Sequence, residues 1–410
     1  MPLKRLELIV SSLALVCATG DVHAQDISDT DVTATIEAPD QFELPAQMDH
    51  SQAVKITANY SADLNADVAG GARRGAAYLG RLGILFDAKP GWNDTLVHAS
   101  VITIHGVGLS ANFVGNLNPV SGLEAEPATR LNQLWVETAL SDKSRIRIGK
   151  FPAAPNFATS NVASFFVNAA FGWPTSFALD LPQGGPAWPL ATPGAMITTT
   201  ASTHVSLSGA VFAGLPAGQL SDDPQRNDGH GFNAFQIRGA PLAIGETAVK
   251  IGKATVKAGG WYQFGQSAVL ADALQTEGGN WSAYALVDLQ LLPALANGRQ
   301  INAFARIFLA PSDRNASPFY ADAGVVSKAP LLSRPDDELG LAVGYVSVGG
   351  AAPFHTGDEF VIELSYQIPL SPDFSLQPNL QWISQRRANP DTVDADKSAI
   401  VVGVRFNYQI

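Results

Sequence analysis

Large apolar and polar residues alternate with a period of two along much of the chain, the signature of a strand with two different faces. The last segment shows it best. Ile400, Val402, Val404, Phe406, Tyr408 and Ile410 fall on one face, and Ala399, Val401, Gly403, Arg405, Asn407 and Gln409 on the other. The same alternation sets Phe374, Leu376, Pro378, Leu380 and Trp382 against Ser375, Gln377, Asn379 and Gln381. It sets Phe360, Ile362, Leu364, Tyr366 and Ile368 against Glu363, Ser365 and Gln367, and Tyr78, Leu82, Ile84 and Phe86 against Arg81 and Asp87. Leu134, Val136 and Leu140 oppose Gln133, Trp135 and Glu137, and Ile146 and Ile148 oppose Arg145 and Arg147. Pro378 inside such a run predicts a local irregularity, because proline donates nothing to a ladder.

The spacing of these runs predicts about sixteen strands between residue 53 and the C-terminus, an even number as bacterial barrels require. Long connections are expected near 61–74, 106–129, 151–191, 214–231, 265–279, 311–319, 350–357 and 386–396. They alternate with short ones near 88–94, 141–143, 201–203, 252–253, 292–299, 330–337 and 370–373. In an up-and-down barrel every second connection emerges at the same end, so long and short loops segregate, and both termini fall on the short-loop, periplasmic side. A Greek-key sandwich has no reason to alternate in this way. The expected fold is therefore an all-β, antiparallel up-and-down transmembrane β-barrel.

Composition supports a surface that largely avoids water. Hydrophobic residues make up 46% and charged residues 15% of the 410, against about 25% charged in soluble domains. Beyond the N-terminus no apolar run reaches the roughly 20 residues of a membrane helix. Residues 1–24 read as a secretory leader: Lys4 and Arg5, an apolar stretch from Leu8 to Thr19, and a small-residue site at Val22-His23-Ala24. Cys17, the sole cysteine, lies inside it, and the bulky Val16 before it disfavours lipid attachment. Residues 25–52 carry Asp26, Asp29, Asp31, Glu37, Asp40, Glu43 and Asp49 and read as an acidic periplasmic segment. The barrel is expected over 53–410. A net charge of −11 argues against a nucleic-acid partner.

The connection 151–191 is too long and too aromatic for a solvated loop, with Phe165-Phe166, Phe171-Gly172-Trp173-Pro174, Gly184-Gly185-Pro186 and Trp188. It is expected to fold inward and narrow the channel. An alternative is an external cap over the rim. Trp135, Glu137, Arg145 and Arg147 lie on the inner face of two strands joined by a short turn at Asp142. Keeping both pairs inward places Glu137 opposite Arg147, where cross-strand neighbours touch. Donors, an acceptor and an indole together suit a polyhydroxylated solute; the same pair also reads as a brace for the wall. Arg81, Arg306, Asp288 and Glu363 are further inner-wall candidates by alternation, and Arg73-Arg74 face either the lumen or external phosphate.

Other chemistry is weakly supported. His105 sits in a His-Gly-x-Gly segment with no Gly-x-Ser-x-Gly elbow after it, so it reads as a strand cap or pore-mouth residue rather than part of a hydrolase triad. His204 and His230 lack partners at metal spacing, and Asp222, Asp223 and Asp228 read as a solvated acidic loop before a calcium site. No cofactor, metal or catalytic residue is expected.

Taken in order, several motifs resemble the carbohydrate-selective porin (OprB-type) family. They include Gly70-Gly71-Ala72-Arg73-Arg74-Gly75 with Tyr78-Leu79-Gly80, Ile104-His105-Gly106-Val107-Gly108-Leu109-Ser110, and Thr129-Arg130-Leu131 with Leu134-Trp135-Val136-Glu137. Phe171-Gly172-Trp173-Pro174, Leu181-Pro182-Gln183-Gly184-Gly185-Pro186-Ala187, Gly259-Gly260-Trp261-Tyr262 and Asp313-Arg314-Asn315 follow. Phe319-Tyr320-Ala321-Asp322-Ala323-Gly324, Arg334-Pro335-Asp336-Asp337 and Leu376-Gln377-Pro378 complete the series. The resemblance implies a monomeric sixteen-stranded outer-membrane barrel, an arginine-bearing constriction, and passive diffusion of glucose and similar sugars. It makes Arg74 a lumen residue. With Arg81, Trp135, Glu137, Arg145, Arg147, Trp173 and Arg306 it completes the expected constriction set. Partners would be small sugars, outer-membrane lipid and lipopolysaccharide. A general, polyol or sugar-acid porin of the same fold, an outer-membrane hydrolase and a soluble exported sandwich are the competing readings. Two features depart from the family: the chain ends in Ile410 where outer-membrane proteins usually end in Phe, and 214–253 matches poorly.

Overall fold

A computed structural model describes residues 53–409 except 93, 219–222, 296–297, 332, 350–355 and 388–396. The expected leader, the acidic segment and Ile410 lie outside the described residues. Sixteen strands form one closed antiparallel barrel. They are β1 (Val54–Gly70), β2 (Gly75–Ala88), β3 (Leu96–Gly106), β4 (Ala128–Ser141), β5 (Ser144–Phe151) and β6 (Thr192–Ser202). Next come β7 (Val205–Phe212), β8 (Leu242–Ile251), β9 (Ala254–Val269), β10 (Asp272–Leu292) and β11 (Gln300–Leu309). The last five are β12 (Phe319–Lys328), β13 (Glu338–Ser347), β14 (Thr356–Ser371), β15 (Phe374–Arg387) and β16 (Lys397–Gln409). Each strand pairs with its sequence neighbours, and β16 closes onto β1 from Asn59↔Gln409 to Gly70↔Ala399. Closure satisfies every backbone ladder internally, which is what lets a sheet sit in hydrocarbon.

The two faces sort as the alternation requires. Leu364 and Trp382 are 43% and 40% exposed, while Glu363, on the other face of β14, and Gln381, on that of β15, are wholly enclosed. Phe406 shares the outward face, because its neighbour Arg405 is buried inside. Oily side chains thus look out and polar ones look in, the reverse of a soluble sandwich.

Boundaries differ from the sequence reading in three places. Residues 61–70 continue β1, leaving only a turn at 71–74. That turn depends on Gly70 and Gly71, both at positive φ (82° and 62°); a Cβ on Gly70 would sit 1.7 Å from the Ser398 carbonyl oxygen. Residues 265–279, expected as a loop, are mostly strand, with β9 and β10 running as a ribbon to a turn at 270–271. Both faces of such a ribbon meet water, so no apolar period marks it. Between β7 and β8 the connection covers 213–241, longer than expected, with Gly231 and Gly239 at positive φ. Pro378 interrupts the ladder to β14 without shifting it: Ser365 pairs with Asn379 and Ile368 with Leu376.

Candidate functional site: a lumen narrowed by two infolded connections

The connections 107–127 and 152–191 turn back into the barrel. Phe157, Phe166 and Phe171 on the second are enclosed, and Phe166 lies 5.1 Å from Phe171 and 6.0 Å from the wall residue Phe304, centroid to centroid. Phe177 meets Trp173, Trp261, Tyr284 and Phe308. This burial excludes the external-cap reading. Aromatic packing supplies the bulk of the adhesion, but a buried segment also needs partners for its backbone groups.

Inward-facing wall residues provide them. Arg306 and Asp322 pair across β11 and β12 in direct register. The Arg306 guanidinium holds Asp322 through Nε (2.9 Å) and donates onward to the carbonyls of Gly172 (2.7 Å) and Ala170 (3.0 Å). Tyr320 Oη also donates to the Ala170 carbonyl, at 2.8 Å. Glu246 accepts from Ala158 N (2.9 Å) and Tyr284 Oη (2.7 Å), while Lys257 Nζ donates to Thr159 O at 2.8 Å. Asp288 accepts from Ser160 Oγ and from Asn161 N. Across the seam, Arg405 grips Asp63 through two bonds of 2.8 and 2.9 Å and reaches Ser121 Oγ at 3.0 Å. Within the infolded segments, burial raises the carboxyls of Glu124 and Asp180, each to about 7. Glu124 accepts from Ser110 Oγ (2.8 Å) and Asp180 from Ser317 N (3.0 Å).

The structure brings four of the expected residues together. Glu137 pairs with Arg147 in the ladder and binds both arginines, Arg145 Nε at 2.8 Å and Arg147 Nε at 2.9 Å. Arg147 also donates to Asn156 Oδ1 on the infolded segment (3.0 Å), and Arg145 to the Asp94 carbonyl (2.8 Å) and carboxylate. The arginine side chains retain 32% (Arg145) and 12% (Arg147) exposure and Glu137 14%, so the cluster remains open to water. Trp135 differs from expectation. Arg147 covers one face at 4.1 Å and His98, itself bonded to Asp87 at 2.8 Å, stacks on the ring at 4.8 Å. The indole is therefore a brace for Arg147, with no face left for a pyranose.

The remaining candidates lie apart. Arg81 is enclosed on the inner wall, 5.4 Å over Trp188. Arg306 and Trp173 are buried in the anchoring layer, Trp173 edge-on to Phe177. Arg74 is exposed at the β1–β2 turn, near Asp67. His105, expected at a strand cap or pore mouth, faces outward and bonds Tyr60 Oη at 3.1 Å. Asp223 caps the helical turn Pro224–Asn227, Asp228 lies 3.7 Å from Lys150 Nζ, and Asp222 lies outside the described residues. Among the described residues no His, Cys, Asp and Glu group is arranged to hold a metal. Sequence reasoning missed the anchors Glu246, Asp322, Asp63 and Arg405, whose one signal was a charge on an inward position.

Comparison with known proteins agrees with this architecture. The model of the family described as "Carbohydrate-selective porin, OprB family" matches residues 73–410. The high-pH structure of Pseudomonas putida OprB superposes with a TM-score of 0.76 at 16% identity, covering 87% of this chain and 94% of that one. The outer membrane channel DcaP of Acinetobacter baumannii gives 0.53 at 10% identity, covering 87% and 97%. An anion-selective porin from Comamonas acidovorans gives 0.51 at 12%, covering 87% and 99%. At these identities the structures speak for the fold. No curated protein sequence matches the chain.

Proposed function

Because the chain belongs to the carbohydrate-selective porin, OprB family, we propose that it is an outer-membrane pore that passes monosaccharides such as glucose by passive diffusion, without catalysis. The observation that carries this reading is Glu137 held between Arg145 and Arg147 on the inner wall, still partly open to water. A sugar shedding water needs replacement partners, since each unpaired hydroxyl in a dry site costs roughly 1–3 kcal/mol. Two guanidinium edges and one carboxylate offer both donors and an acceptor without demanding a charged solute. Binding must also release; a dissociation constant near 1 mM, about −4 kcal/mol, is within reach of a few such bonds. Arg145 is the most exposed of the three and is the group a solute meets first. Barrel monomers with lipid and lipopolysaccharide against the apolar outer face fit the same reading.

A second reading, a sugar-acid pore, draws on the two arginines facing one glutamate. Single-channel current in planar bilayers separates them. Neutral glucose should reduce the current in a saturable way, and Glu137→Gln should weaken that block. A current indifferent to glucose but blocked by a sugar acid would replace the first reading by the second.

A further inference from the structure

β14 and β15 carry polar inward residues four apart, on one face of each strand: Glu359 and Glu363, and Gln377, Gln381 and Gln385. The register sets Glu359 beside Gln385 and Glu363 beside Gln381. Each Glu–Gln pair grips an infolded segment in the same way. Glu359 accepts the successive amides of Leu117 (2.7 Å) and Asn118 (2.8 Å), while Gln385 Nε2 donates to the Gly115 carbonyl (2.8 Å). Glu363 accepts those of Val167 (2.7 Å) and Asn168 (2.8 Å). Gln381 reaches both segments at once: it donates to Val120 O and accepts from Asn168 Nδ2, each at 2.9 Å. The segments also bond each other, Gly122 N to Val167 O (2.9 Å) and Ala169 N to Pro119 O (3.0 Å).

A carboxylate accepting two adjacent amides fixes the direction as well as the position of the chain that offers them. Two such clamps, joined through Gln381, leave the segments little freedom to move independently. None of the four side chains is exposed enough to touch a solute. We propose that the pairs Glu359–Gln385 and Glu363–Gln381 are positioning residues that hold the two infolded connections as one unit, and thereby set the cross-section and solute size limit of the pore. The proposal rests on the chain being a pore and not on which sugar it passes.

Gln381→Leu and Gln385→Leu, singly and together, test it, because leucine keeps most of the volume and the sixteen-strand ladder is untouched. Each variant is first checked for heat-modifiable migration on a gel, then reconstituted for ion conductance and for swelling in mono-, di- and trisaccharides. Gln381→Leu should fold, raise conductance, and lift the di- to monosaccharide rate ratio several-fold. The double variant should change little beyond Gln381→Leu alone, since one unit is already released. Folded variants with unchanged conductance and size limit would overturn the proposal, as would strictly additive changes from the two sites. If Gln381→Leu does not fold, Gln385→Leu is read in the same way; if neither folds, the residues serve assembly and the proposal fails. A wild-type protein with no conductance would instead sink the pore reading.

Discussion

Replacing Arg306 should separate what holds the barrel together from what shapes its lumen. Arg306→Ala leaves Asp322 wholly buried with its charge uncompensated and takes a donor from the Gly172 carbonyl. Breaking a buried ion pair from one side costs roughly 3–5 kcal/mol, and the orphaned carbonyl adds about 1–3 kcal/mol unless the segment moves to find water. The Ala170 carbonyl keeps Tyr320. The double variant Arg306→Met with Asp322→Leu removes both charges and fills the space, so most of the stability should return. The carbonyl of Gly172 stays without its donor, so the segment 170–172 should remain loose. Urea unfolding in detergent, followed by heat-modifiable migration, measures the first effect; single-channel conductance measures the second. The expected pattern is a large stability loss in the single variant, recovery in the double, and raised conductance in both. An Arg306→Ala protein within about 0.5 kcal/mol of wild type, the range of an ordinary surface change, would refute the anchoring argument.

Glu137→Ala with Arg147→Ala should lower monosaccharide flux more than ion conductance, because ions need no specific partner; equal loss of both in transport assays would mean simple damage to the wall. Asp180 should make the barrel less stable as pH rises. The unfolded carboxyl ionises near 3.8 and the folded one near 7, so between these values the folded state keeps a proton the unfolded chain has lost. Stability falls across that window and the contribution is gone above it, a span of up to roughly 4 kcal/mol. Asp180→Asn should flatten that part of the urea midpoint-versus-pH curve, and an unchanged slope would count against it. Gly340→Ala should push the infolded segment off β13, since its Cβ would lie 2.5 Å from the Phe165 ring. Overpacking of this kind costs about 1–3 kcal/mol, and unaltered conductance and urea midpoint would contradict the tight contact.

The strands were legible because lipid on one side and polar groups on the other impose a period of two. That contrast is absent where both faces meet water, which is why the β9–β10 ribbon read as a loop. The infolding of 152–191 was legible in its aromatic content, and the Glu137–Arg147 pairing in the need to keep both charged pairs inward, which the strands meet through a register shift between Ala139 and Ser141. What holds the infolded chain was not. Val167 and Glu363 are 196 residues apart, and nothing local to either announces the other. The role of Trp135 likewise depends on His98, supplied by the neighbouring strand. Arg306 was recognisable as an inward charge, but whether such a charge faces solute or anchors a segment is decided by where the segment lands.

The proposed function requires a water-filled passage that favours sugars over other small neutral solutes. Swelling of proteoliposomes in matched isotonic solutions of a monosaccharide, a linear polyol of similar size and a trisaccharide measures this directly. The monosaccharide should enter fastest, the polyol more slowly and the trisaccharide scarcely at all. Equal rates for monosaccharide and polyol would remove the selectivity, and no swelling in any of them would remove the pore.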